Sequence, residues 1–202
     1  MLPFPKKGLG HYEDLVNPAL IAQRVQALGK RDEFDIILID SLTLWGEQLE
    51  AKLAATYNKK DGYALYADYN KQVVELMSAI TTCPKMIILT AIAEVIDVGT
   101  LTAQGVVTTS QQFVAAVQGQ KKRGRIEANF TIVLMSQSTG GKYVFETNNG
   151  HNTTSKTPMG MFKEKTIDND ARVVLERAIN FFDLPLKVER KSEETNTTKE
   201  KK

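Results

Sequence analysis

Apolar residues are arranged along the chain in two ways, at helical spacing and in short continuous runs. The helical spacing predicts four helices, which begin after Asn17-Pro18, after Ser41, near Tyr63 and after Asp168-Asn169-Asp170. The continuous runs predict a strand buried on both faces at Phe34–Asp40, another buried strand at Met86–Thr90 and a third strand at Phe130–Met135. The order of strand, helices, strand and further strands is typical of an α/β fold.

Turn and loop signals complete this outline. Thr139-Gly140-Gly141 predicts a tight turn after which a fourth strand, Lys142–Thr147, forms a hairpin. The stretch Glu94–Gln120 is rich in Thr, Gln and Gly and predicts a mobile loop with short elements. Prolines and glycines predict a loop at residues 1–16. Residues 1–186 are therefore expected to form one domain, followed by a disordered charged tail at 187–202.

Charge narrows the range of functions only slightly. The chain of 202 residues has 26 Lys+Arg and 24 Asp+Glu. The tail alone has six basic and four acidic residues, which leaves 20 of each in residues 1–186. Because that part is neutral, bulk charge gives no argument for nucleic-acid binding.

Cysteine content and hydropathy bear on the compartment. The single cysteine, Cys83, has no partner for an internal disulfide, and we expect a half-buried structural thiol. No run approaches the roughly 20 apolar residues of a membrane helix, and no signal peptide is recognisable. We therefore expect a soluble cytoplasmic protein with no membrane partner.

The first candidate for chemistry is the end of the strand Ile36–Ile39, where Asp40 and Ser41 follow four apolar residues. In parallel sheets the carboxyl ends of the strands carry function. An apolar strand that ends in Asp resembles a Walker B motif, in which the carboxylate orients Mg²⁺ on nucleotide phosphates. Ser41 would contact a metal-bound water. The alternative is that Asp40 or Ser41 only caps the following helix.

Thr90 ends the next predicted strand and is a candidate sensor of a nucleotide γ-phosphate. The alternative is a hydroxyl that is satisfied by the backbone. A third candidate is the dense basic cluster formed by Lys121, Lys122, Arg123 and Arg125. These cations could neutralise nucleotide phosphates at a subunit interface or contact nucleic-acid phosphates, or they could form a solvated loop. The sequence contains neither a G-x-x-x-x-G-K-[ST] loop nor a Cys/His metal cluster.

Taken in order, several stretches resemble the phage-encoded RecA-like P-loop ATPases, which are AAA-family ATP-binding proteins that include single-strand annealing recombinases. The resemblance covers roughly residues 12–183. The stretches that carry it are Phe34–Trp45, Ile87–Ala91, Lys121–Leu134, and Tyr143–Asn149 with Lys156–Phe162.

The resemblance implies a RecA-like P-loop NTPase core: a mostly parallel sheet flanked by helices, with a C-terminal β-hairpin. It implies ATP and Mg²⁺ as cofactors, with Asp40 and Ser41 at the metal and Thr90 as a catalytic sensor. Lys121 and Arg123 would be catalytic at a subunit interface, and all four cations of the basic cluster would contact single-stranded DNA. The Gly99–Gln118 stretch matches a DNA-contacting region. A homo-oligomeric ring or filament, at work in DNA recombination in the host cytoplasm, is implied as well.

The resemblance also implies a first βαβ unit with a Walker A loop, which precedes the matched stretches in the family and is missing here. A separate N-terminal Walker A fragment would then be a partner. Two other interpretations stay open. One is a non-enzymatic nucleic-acid-binding or assembly module, and the other is an inactive fragment of a split ATPase.

Overall fold

The computed structural model describes residues 17–33, 35–57, 61–103, 105–117, 126–148 and 152–185. The predicted loop at 1–16, the predicted tail at 187–202 and the basic cluster lie outside these ranges. The described helices are α1 (Ile21–Gly29), α2 (Leu42–Thr56), α3 (Gly62–Thr82) and α4 (Ala171–Phe182). The described strands are β1 (Ile36–Ile39), β2 (Met86–Leu89), β3 (Ala93–Thr102), β4 (Gly105–Ala115), β5 (Met135–Thr139), β6 (Lys142–Glu146) and β7 (Thr166–Asp168).

The four predicted helices are confirmed, and the starts of three are held by polar side chains. Asn17 accepts a hydrogen bond from the backbone N–H of Ala19 and starts a short 3-10 helix, Pro18–Leu20, which leads into α1. Ser41 caps α2, and Asp170 caps α4 by accepting from the backbone N–H of Arg172. The Arg172 guanidinium, together with that N–H, lowers the pKa of Asp170.

Strands β1 and β2 form a two-stranded parallel sheet, in which Ile36 is level with Met86 and Ile39 with Leu89. The prediction that β1 is buried on both faces is wrong. Burial alternates, and Leu38 is 61% exposed. Since the described helices pack on one face only, the other face of the sheet exposes an apolar side chain.

The main core lies between that covered face and the helices. Ile37 and Ile39 contribute from β1, and α1, α2 and α3 supply most of the remaining side chains. Its fully buried members include Leu49, Tyr69 and Leu76. Glycine at position 46 permits the close approach of α2 and α3, because a Cβ there would lie 2.7 Å from the Tyr69 hydroxyl. Cys83 is half-buried against this core, as predicted.

The stretch predicted as a mobile loop is instead mostly a long antiparallel hairpin, which we call the β3–β4 ribbon. Its strands pair from Ala93 with Ala115 to Thr102 with Gly105. The register shifts after Val98, so β4 carries one extra residue. The prediction failed because the ribbon is two-stranded and largely open to solvent, so its sequence lacks the apolar periodicity of a half-buried strand.

The predicted C-terminal hairpin is confirmed, but its first strand is displaced. Gly140 and Gly141 both have positive φ angles, and Thr139 pairs with Lys142 across them. A two-residue turn fixes the register, so β5 consists of the residues directly before the turn, starting at Met135. Of the apolar run that predicted a strand at Phe130–Met135, Met135 begins β5 and Val133 forms an isolated bridge with Lys156.

Strand β7, which was not predicted, joins β6 to complete a three-stranded antiparallel sheet. The fold is therefore α/β, but the prediction of a mostly parallel sheet is not matched within the described residues, where parallel pairing of strands is confined to β1 and β2. The physical reason is that two of the apolar runs pair parallel across the α2–α3 connection, whereas tight turns join β3 to β4 and β5 to β6, and a tight turn permits only antiparallel pairing. No helix in the described part of the chain is long and apolar enough to cross a membrane.

Candidate functional site

The structure brings together Asp40 and Thr90, each of which was predicted to end a strand. Because Ile39 is level with Leu89, the next residue of each strand lies at the same edge of the sheet, the one formed by the carboxyl ends of β1 and β2. The Thr90 hydroxyl donates a hydrogen bond to the Asp40 carboxylate at 2.5 Å. Both side chains are exposed to solvent. This edge therefore presents a carboxylate whose orientation is fixed by a neighbouring strand.

The backbone holds the same edge together. The Thr90 N–H donates to the carbonyl of Ile39 at 3.1 Å, and the Thr90 carbonyl accepts from the N–H of Leu42 at 2.9 Å. Leu42 is the first residue of α2. The N–H groups in the first turn of a helix have no hydrogen-bond partner within that helix. The amino end of α2, with its partial positive charge, is thus fixed beside Asp40.

Ser41 has the capping role that one interpretation of the sequence assigned to it. Its hydroxyl oxygen accepts from the N–H of Leu44 at 3.3 Å. A serine hydroxyl also has a proton to donate and a second lone pair. While Ser41 caps the helix, its hydroxyl can therefore still form a hydrogen bond with a metal-bound water.

The edge fits a magnesium ion better than a transition metal. No group of three or more His, Cys, Asp or Glu side chains comes together in the described residues. Magnesium keeps several waters and is usually bound through one or two carboxylates and substrate phosphates. One oriented carboxylate beside two hydroxyls matches that requirement.

Thr43 ties this edge to the ribbon, a role that the sequence did not reveal. Its buried hydroxyl donates to the carbonyl of Ala116 at 3.0 Å and accepts from the N–H of Ile92, also at 3.0 Å. Ile92 follows Thr90 by two residues, and Ala116 directly follows β4. Thr43 thereby links the first turn of α2 to both ends of the ribbon. A threonine near the start of a helix gives no sequence signal for such a contact.

Glu127 is a second residue that the sequence did not single out. It is only 7% exposed, and its Oε1 accepts from the N–H of Ala115 at 2.7 Å and from the Thr154 hydroxyl at 3.3 Å. Its Oε2 has no hydrogen-bond partner among the described residues. Glu127 therefore anchors the chain just after the basic cluster to the last residue of β4.

The four cations of the basic cluster (Lys121, Lys122, Arg123 and Arg125) lie outside the described residues. The flanking residues Val117 and Ile126 are both buried in the main core. The segment between them therefore begins and ends at fixed points on the body of the protein.

The ribbon does not match a phosphate-binding surface. Residues 91–117 contain Glu94 and Asp97 but no lysine or arginine. Contact with DNA phosphates relies mainly on Lys and Arg. The expectation that Gly99–Gln118 contacts single-stranded DNA therefore has no electrostatic support in that stretch.

Comparison with known proteins gave one match. A family model described as AAA domain matches residues 7–159. This range includes the β1–β2 sheet, the ribbon, the basic cluster and the β5–β6 hairpin. A search of curated proteins and a search of solved structures found no match.

Proposed function

Because the chain belongs to the AAA domain family of P-loop ATPases, we propose that it binds Mg-ATP at the edge formed by Asp40 and Thr90. The observation that carries the proposal is the hydrogen bond between these side chains at the level ends of two parallel strands. In open α/β sheets, ligands bind outside the carboxyl ends of the strands.

Each residue at this edge has a definite task in the proposal. Asp40 accepts hydrogen bonds from metal-bound water or ligates the ion, and Thr90 fixes the carboxylate through its hydroxyl. Ser41 holds the amino end of α2 in place and contacts a metal-bound water. Mg²⁺, when bound, supplies charge neutralisation for the phosphate oxygens.

The phosphate-binding loop is the part of the site for which the sequence has no candidate. We propose that a separate polypeptide segment supplies it, in the manner of a RecA-like enzyme split into two pieces. The exposed apolar face of the β1–β2 sheet supports this view, because parallel sheets are almost always covered on both faces. Such a segment would cover Leu38, which is 61% exposed.

Equilibrium titration of the full chain with a fluorescent ATP analogue tests the proposal. We expect weak binding that becomes about tenfold weaker when EDTA removes Mg²⁺, because the ion links a carboxylate to the nucleotide phosphates and groups that merely orient metal ligands are already worth roughly 10- to 100-fold in metal affinity. Equal affinity with Mg²⁺ and with EDTA contradicts a magnesium-dependent site.

For partners, we propose single-stranded DNA and further copies of the chain, in phage DNA recombination in the host cytoplasm. The basic cluster supports the DNA contact, because it places four cations within five residues between two anchored ends. Lys121 and Arg123 would reach nucleotide phosphates of a neighbouring subunit, where such cations stabilise the charge that develops during phosphoryl transfer.

The triple variant Lys121→Ala/Lys122→Ala/Arg123→Ala tests the DNA contact. Loss of three phosphate contacts should weaken binding of a labelled oligonucleotide by at least about tenfold and flatten its salt dependence. A matched control is Lys142→Ala/Lys163→Ala/Lys165→Ala, which removes three exposed cations elsewhere. Unchanged affinity in the first variant rejects the basic cluster as the site. If ATP never changes the affinity of the wild-type chain for the oligonucleotide, the result favours a non-enzymatic nucleic-acid-binding module.

A further inference from the structure

The two edges of the β3–β4 ribbon are protected very differently. Near the end of β4, the backbone N–H groups on its outer edge already have hydrogen-bond partners. The N–H of Phe113 donates to the carbonyl of Asn152 at 2.7 Å, and the N–H of Ala115 donates to the Glu127 carboxylate. The extra residue that shifts the register also lies on β4. Bulges and covering segments are devices that prevent a strand edge from pairing with another chain.

In the part of the chain that the structure describes, no bulge interrupts β3 and no covering segment pairs with it at Val95 or Asp97. In the described residues β3 pairs with β4 alone, and its ten residues include neither lysine nor proline. Val95 lies opposite Phe113, and Asp97 lies opposite Gln111. Since the N–H of Phe113 points away from β3, the backbone groups of Val95 and Asp97 point away from β4. They form a regular, exposed edge.

Large apolar side chains are exposed along the same edge. Ile92 is 64%, Val95 50% and Val98 38% exposed. A long edge strand with exposed apolar residues is a template for pairing with another chain. A two-stranded ribbon is also marginal by itself in water, and additional strands stabilise it.

We propose that the outer edge of β3 pairs antiparallel with the same edge of a second copy of this chain, about a two-fold axis at Val95. The result is a four-stranded sheet that runs through both protomers. This contact needs no nucleotide and does not rest on the proposed ATP site.

The register follows from apolar matching and from charge. With the axis at Val95, each Val95 faces its own copy and Ile92 faces Val98, so all three exposed apolar side chains are matched. Asp97 then faces Ala93. An axis at Asp97 would instead place two carboxylates directly opposite each other, which is destabilising.

The contact should be weak, because it is short. Seven residues, from Ile92 to Val98, span about 24 Å of strand, and an interface of that length falls below the roughly 1,200–2,000 Å² of stable complexes. We therefore expect a dimer that forms at high protein concentration and separates on dilution.

Disulfide trapping in the full chain tests both the contact and its register. Cys83, the single cysteine, is first replaced by serine, and Val95→Cys is then introduced. In a directly facing, hydrogen-bonded pair the Cα atoms are about 5.5 Å apart, which lies within the range of about 4.4–6.8 Å for a disulfide. Mild oxidation should give a covalent dimer on a denaturing gel.

Cysteines at two other positions test whether cross-linking is specific to Val95. Asp97→Cys should give at least about tenfold less covalent dimer, because the two copies of that residue would be roughly 14 Å apart along the strands. Tyr143→Cys, an exposed position on β6, should give none above background. Equal cross-linking at all three positions, or none at Val95→Cys, overturns the proposal.

A second variant checks the contact without a new cysteine. Val95→Lys places a charge on the exposed edge, as natural edge strands do. Light scattering after size exclusion should show that the wild-type chain approaches a dimer at high concentration while Val95→Lys stays monomeric with an unchanged circular dichroism spectrum. A wild-type chain that is monomeric at every concentration, or a variant that dimerises equally well, contradicts the proposal.

Discussion

Asp40→Asn should remove most of the roughly tenfold gain in ATP affinity that Mg²⁺ provides, because groups that orient a bound metal are typically worth about 10- to 100-fold in metal affinity. The amide has the same shape as the carboxylate, and its oxygen can still accept from the Thr90 hydroxyl, which donates to Asp40 at 2.5 Å. Fold and edge geometry are therefore retained while the negative charge is removed. The measurement is ATP affinity with Mg²⁺ and with EDTA, for wild type and variant.

Two further variants show whether the effect belongs to this edge. Asp97→Asn removes an exposed carboxylate on the neighbouring β3 and should leave the gain in affinity from Mg²⁺ unchanged. Thr90→Val removes the hydroxyl that orients Asp40 and should cause a smaller loss than Asp40→Asn. If Asp40→Asn binds Mg-ATP as tightly as the wild type, Asp40 does not contribute to a metal site.

Leu76→Ala should lower the free energy of unfolding by about 3 kcal/mol, within the range of 2–5 kcal/mol for a buried leucine. Leu76 is fully buried in the middle of α3 and belongs to the core that the helices form with β1. Small domains have only about 5–15 kcal/mol of stability, so the loss should be obvious in a urea titration.

The same helix offers a matched control. Val74 lies two residues away on α3 and is 56% exposed, so Val74→Ala should change the free energy of unfolding by no more than about 0.5 kcal/mol. If the two variants lose equal stability, α3 does not pack against the sheet through the face that contains Leu76.

The parts of the fold that the sequence predicted are those with strong local signals. The helices follow apolar spacing and polar caps such as Asp170, and the β5–β6 hairpin follows from Gly140-Gly141. The sequence also placed Asp40 and Thr90 at the ends of two apolar runs, and such ends meet where the two strands are parallel neighbours. At these positions the local sequence pattern and the contacts in the folded structure favour the same element.

The sequence could not predict features that depend on what lies beside a strand. The apolar run Ile36–Ile39 gives no sign that one of its faces is open in the structure. The ribbon was missed because, in the described residues, β3 pairs with β4 alone, and a two-stranded ribbon needs no alternation of apolar and polar residues. Thr43 and Glu127 act through backbone groups more than ten residues away in the chain, so no local spacing marks them.

The basic cluster is the densest group of cations outside the tail. Lys121 to Arg125 were predicted to contact phosphates, and the structure describes only the buried residues on either side. The buried residues Val117 and Ile126 fix the positions where that segment starts and ends.

Paramagnetic mapping tests the central claim, that the edge of the β1–β2 sheet holds a metal–nucleotide complex, most directly. Mn²⁺ with ATP is added in substoichiometric amounts to the ¹⁵N-labelled full chain, and the loss of each amide signal is followed. The account predicts that signals of Asp40, Leu42 and Thr90 broaden first, and that Asp40→Asn abolishes this effect. Broadening that begins instead at other exposed carboxylates, such as Asp97 and Asp168, and is unchanged in Asp40→Asn would contradict it.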